Sequence, residues 1–95
     1  MAVTGTATLD FTSTPSEETT LVVTGQAGLI STTHIEAWIE HSDSTADNSF
    51  DEHSEFAAMC PLACRWTVDG SFEIKAMPIG ALGLGTFLVH WAWSN

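Results

Sequence analysis

The sequence predicts an all-β protein: a single-domain antiparallel β-sandwich or small barrel of six to seven short strands. Three observations carry that prediction. Apolar and polar residues alternate over several short stretches, the period-2 pattern of half-buried strands. Glycine, proline and Asp-Gly turn signals separate those stretches. No segment carries a sustained amphipathic-helix period. Ninety-five residues leave nothing for a second core, so residues 1–95 form one domain.

Val3 to Phe11 opens the pattern, with Val3, Gly5, Ala7, Leu9 and Phe11 on one face and Thr4, Thr6, Thr8 and Asp10 on the other. Ser13 to Glu18 (STPSEE) is a polar turn punctuated by Pro15. Thr19 to Thr24 is a short β-branched strand ended by GQAG. His34 to Glu40 alternates again, placing Ile35, Ala37 and Ile39 opposite His34, Glu36, Trp38 and Glu40. An acidic, small-residue loop follows, running to His53, and Glu52 to Cys60 has room for a helical turn or two. From Phe56 the chain is apolar (FAAMCPLACRWTV) until Asp69-Gly70, a hairpin signal. Ser71 to Met77 is a strand with Phe72, Ile74 and Ala76 inward. Pro78 to Gly85 is a glycine-rich connection, and Thr86 to Trp93 is a final, largely buried strand.

Charge excludes some functions. Two basic residues, Arg65 and Lys75, stand against twelve acids, and the net charge is −10. Phosphate backbones are bound by clustered Lys and Arg, so neither nucleic acid nor an anionic membrane surface is an expected direct partner. No stretch approaches the apolar run of about 20 residues that a membrane span needs. The start MAVTGTATLDF lacks a basic region followed by an apolar core, so a secretory leader is not expected. The expectation is synthesis in a cytoplasm, with Cys60 and Cys64 as free thiols. Four residues apart on one strand, they would lie about 13 Å apart, too far to bridge.

Several constellations invite a chemical reading. Asp43, Asp47, Asp51 and Glu52 offer hard oxygen ligands of the kind calcium takes, but without the EF-hand spacing. A solvated loop is the default, with calcium the alternative, and no cofactor is expected. His41 and His53 with Cys60 and Cys64 supply zinc-ligand types, yet the histidines are not at zinc-finger spacing. Serines, histidines and acids abound without a nucleophile-elbow motif, so no catalytic residue is assigned and an enzyme is not expected. The glycines at 80, 83 and 85 precede no helix and make no phosphate loop. Trp91 and Trp93 share one face of the last strand, as core or interface anchors. Trp38 lies on the polar face of its strand, where an aromatic beside carboxylates can stack on a sugar or meet a partner.

Three stretches resemble small bacteriophage virion proteins. These are Ile35-Glu36-Ala37-Trp38-Ile39, the loop Asp43-Ser44-Thr45-Ala46-Asp47-Asn48 with Asp51-Glu52-His53, and the closing Val89-His90-Trp91-Ala92-Trp93. They are similar to a "VEAWI" strand, a "DSTAD-N--DEH" loop and a "V-W-W" strand, and the likeness spans roughly Gly25 to Ser94. WTVDGSFEI stands where such proteins carry a glycine-rich "AGTGFTI" run, and His90 where the last strand often has a basic residue. The resemblance implies a virion structural protein: a capsid decoration or cement subunit bound to the major capsid protein or other virion proteins. The alternative, which rests on Trp38 with the acids of the His41 to His53 loop, is a tail- or fibre-associated carbohydrate- or receptor-binding module, with calcium as its candidate ligand. Interface candidates are Trp38, Trp91 and Trp93, and a homo-oligomer, preferably a trimer at a three-fold position, is the expected assembly.

Overall fold

The computed structural model describes residues 2–12, 16–40, 43–80 and 82–95. Its elements are β1 (Val3–Asp10), β2 (Thr19–Val23), β3 (His34–Ile39), α1 (Phe50–Met59), β4 (Leu62–Val68), β5 (Ser71–Ala76) and β6 (Thr86–Ser94). The strands form two three-stranded antiparallel sheets, β1-β6-β3 and β2-β5-β4, packed face to face as a small β-sandwich. Of the predicted turn at Ser13 to Glu18, Ser13, Thr14 and Pro15 lie outside the described residues.

The alternation in β1 sets its register. Gly5, Ala7 and Leu9 stand opposite Trp91, Val89 and Phe87 of β6, while Thr4, Thr6 and Thr8 face solvent. On the other side of β6, Ile35, Ala37 and Ile39 pair with Trp93, Trp91 and Val89. The second sheet turns Phe72, Ile74 and Ala76 inward from its central strand, all fully buried. Leu21 and Cys64 flank Ile74. Burying side chains of this size contributes about 1.5–3 kcal/mol each, and that is what holds the two layers together.

Two glycines admit aromatic rings. A Cβ on Gly5 would sit 2.2 Å from Trp91, and one on Gly83 would sit 2.3 Å from Phe11. Gly83 also makes paired backbone bonds with Ser16, at 2.8 and 2.9 Å, tying the connection before β6 to the segment before β2. The Asp69-Gly70 hairpin forms as the sequence predicts, with Gly70 at φ 85°. Its tip is latched to the loop after β2: Gly70 N–H donates to the Leu29 carbonyl, and Gln26 N–H donates to the Gly70 carbonyl, both at 2.9 Å.

The largest departure from expectation is α1. The stretch that reads as acidic loop followed by a turn or two is a ten-residue helix. Ser49 accepts from the Glu52 N–H and Glu52 reaches back to the Ser49 N–H, a complete capping box, and Asp51 and Glu52 sit in the positive first turn. Only His53 and Phe56 are buried on it. Phe56 stacks on Phe87 at 4.2 Å and meets Phe11 edge-on at 5.4 Å, closing one end of the sandwich. Cys60 caps this helix, so it does not share a strand with Cys64; both are free thiols.

Candidate interaction surface

The loop between β3 and α1 continues the first sheet with side chains instead of backbone. β3 stops at Ile39 opposite Val89, and among the described residues no strand pairs with the start of β6 on that edge. Asp47 accepts from the Thr86 N–H at 3.1 Å and from its hydroxyl. The Asn48 amide donates to the carbonyls of Thr86 (2.7 Å) and Leu84 (3.1 Å), and Thr45 Oγ1 donates to the Thr86 carbonyl at 2.8 Å. Two residues on, the Leu88 N–H donates to His53 Nε2 at 3.0 Å. The hydroxyl and N–H of Thr86 stabilise the ionised Asp47 carboxylate and lower its pKa below the ordinary 3.8.

This arrangement separates the four acids that composed a calcium reading. Asp43 pairs with His90 (2.6 Å), Asp47 caps β6, Glu52 closes the capping box and Asp51 lies in the helix's first turn. Among the described residues no group of three or more His, Cys, Asp and Glu side chains is placed to hold a metal ion. Of the zinc-type residues, His53 spends both ring nitrogens on Ser49 and Leu88, and His41 lies outside the described residues. Burial pushes the Cys60 thiol up to about 11; burial, with a smaller push from the Glu36 carboxylate, does the same for Cys64.

The three tryptophans proposed as anchors divide. Trp91 and Trp93 are core residues, each 6% exposed. Trp91 meets Phe72 edge-on at 5.5 Å, and Trp93 Nε1 donates to Gln26 at 3.1 Å. Their rings fill the space between the sheets, which removes them from any external contact. Trp38 alone of the three reaches solvent, 40% exposed on the outer face of the first sheet. It stacks on His90 (6.0 Å, 20°) and its Nε1 donates to Glu40 at 3.3 Å.

A group of exposed apolar residues lies elsewhere, at the end of the sandwich where α1 meets the β5–β6 connection. Met59, Met77, Ile79, Leu82 and Leu84 are all exposed, Ile79 to 70%. Met59, Met77, Leu82 and Leu84 line adjoining clefts, and Ile79 is tied to them through its backbone. The Ile79 N–H donates to the Met59 carbonyl at 2.8 Å. Met77 and Leu82 line one cleft with Pro78, Gly80 and Glu17, and Met59, Leu82 and Leu84 line another with Glu52 and Glu55. Leu84 and Glu52 continue into a third, of about 470 Å³, whose other acids are Asp10 and Asp47. Sequence reasoning read residues 78–85 only as a glycine-rich connection. The usable signal was three large aliphatic residues, Ile79, Leu82 and Leu84, placed between glycines with no strand to bury them.

Set against known proteins, the chain matches no family model, no curated protein and no solved structure.

Proposed function

We propose that this protein is a non-enzymatic structural module that works by adhesion. Its concrete form, taken from the resemblance, is a bacteriophage capsid decoration or cement subunit that binds the major capsid protein or another virion protein. The observation that supports the reading is the contiguous apolar end formed by Met59, Met77, Ile79, Leu82 and Leu84. Large contiguous apolar patches are uncommon on the surfaces of free monomers and mark contact sites. The anchors of this reading are those five residues in place of Trp91 and Trp93. A closed trimer, joined through a face other than this apolar end, remains the preferred assembly, and native mass spectrometry of the purified chain measures it.

The test is co-sedimentation with phage particles that carry the gene. The wild-type chain should pellet with particles, and the Ile79→Asp/Leu82→Asp variant should stay in the supernatant. A chain absent from purified virions would overturn the reading.

The exposure of Trp38 beside Glu36 and Glu40 supports a second reading, a tail- or fibre-associated module that binds uncharged sugars on the outer face of the first sheet. Glycan binding abolished by Trp38→Ala would favour it, and silence across a broad glycan panel would rule against it.

A further inference from the structure

Resting on the reading of the apolar end as an adhesion face, we propose the chemistry of its occupant: an apolar segment flanked by lysines or arginines, on a different protein and not on a second copy of this chain. Acids border the five apolar side chains on two sides. Glu17 shares a cleft with Met77 and Leu82, and Glu52 and Glu55 share one with Met59, Leu82 and Leu84. Both of the chain's cations are already paired with its own acids. Lys75 borders the Met77 side and pairs with Glu18 at 3.4 Å, while Arg65 pairs with Glu73 at 3.1 Å on the outer face of the second sheet.

Charge therefore decides between the candidate occupants. A second copy would bring its own Glu17, Glu52 and Glu55 towards the same acids, between two chains that each carry a net charge of −10. Like charges brought together at an interface weaken it and slow the encounter, whereas a basic rim on the partner reverses both effects. The apolar seat supplies affinity once the rims align. Met59 and Met77 suit that task, because unbranched thioether side chains repack against varied shapes.

The probe is a short fluorescein-labelled amphipathic helix of leucine and lysine, with the leucine–glutamate peptide of the same pattern as its counterpart, read by anisotropy. The lysine peptide should bind and the glutamate peptide should not. Ile79→Ser/Leu82→Ser should weaken binding by about tenfold or more, as loss of central apolar anchors does. Glu17→Gln/Glu55→Gln should weaken it by about two- to tenfold and flatten its salt dependence. Glu36→Gln/Glu40→Gln makes the same charge change on the outer face of the first sheet and should leave binding unchanged.

Equal losses from the two glutamate pairs would mean general attraction to an acidic protein and would overturn the proposal. So would a concentration-dependent oligomer of the wild type that the serine variant dissolves, since a second copy would then be the occupant. Loss in the serine variant with no effect at Glu17 and Glu55 would refute the partner's chemistry while leaving the adhesion face standing. Unchanged binding by the serine variant would refute the adhesion face itself.

Discussion

Replacing His53 with leucine tests the joint between the helix and the first sheet. The ring is fully buried and lies 4.9 Å from Phe87, and its nitrogens have opposite roles. A backbone N–H can only donate, so Nε2, 3.0 Å from the Leu88 nitrogen, must be the bare acceptor. The proton is then on Nδ1, which donates to the Ser49 carbonyl at 3.1 Å. Leucine approximates the ring's volume but makes neither bond. The part-buried Leu88 N–H loses its partner, which costs about 1–3 kcal/mol, and the bond to Ser49 adds about 1 kcal/mol. The Ser49 carbonyl keeps a second donor, the backbone N–H of His53 at 2.9 Å, so its loss is partial. The sum is roughly 2–4 kcal/mol, a large share of the roughly 5–15 kcal/mol typical of a whole domain. In a chain of this length that lowers the melting temperature by roughly 10–25 °C. Urea denaturation followed by circular dichroism measures it, and nitrogen chemical shifts of the ring report the tautomer. A loss under about 0.5 kcal/mol, or a proton found on Nε2, would refute the reasoning.

Three further outcomes are expected. Gly5→Ala forces a methyl against the Trp91 ring, 2.2 Å from its nearest atom, and should destabilise by about 1–3 kcal/mol in the same denaturation assay. Asp47 has a folded pKa below 3.8, so the stability it supplies is complete above that value and is lost as pH falls through the folded one. Asp47→Asn should therefore unfold with a flatter pH dependence than the wild type from about pH 4 downward, and an identical profile would contradict the role given to Thr86. The Cys60 and Cys64 thiols, raised to about 11, should react slowly with a disulfide reagent at neutral pH and quickly once the chain is unfolded in urea. Because both folded pKa values lie above the ordinary 9.0, these thiols also lower stability as pH rises from 9 towards 11.

The strands were legible because one face of each is buried, which forces the period-2 pattern on β1, β3 and β5. Gly70 marked its turn because a hairpin tip needs a residue that tolerates positive φ. Helix α1 was legible only as a turn or two within Glu52 to Cys60, since an end-capping helix with two buried residues has little period to show. Its capping box, Ser49-x-x-Glu52, was the signal that sufficed. The two tryptophans of β6 were placed on the correct common face, but a face does not say whether it meets the other sheet or a partner. Pairing across the sandwich, with Phe72 against Trp91, decides that, and no local pattern encodes it. The apolar end is likewise a product of tertiary placement: Met59 and Ile79 lie far apart in sequence and meet because α1 and the β5–β6 connection end at the same place.

The order of strands in the first sheet has a consequence for synthesis. Its central strand is β6, the last to leave the ribosome, while β2, β5 and β4 are complete once Ala76 has been made. The second sheet can therefore assemble on a nascent chain while β1 and β3 wait without a partner, their apolar faces uncovered. Such dependence on distant pairing slows folding and prolongs exposure to aggregation. A chain ended at Gly85 should show no cooperative unfolding, because Phe87, Val89, Trp91 and Trp93 bring both the missing ladder and one wall of the core.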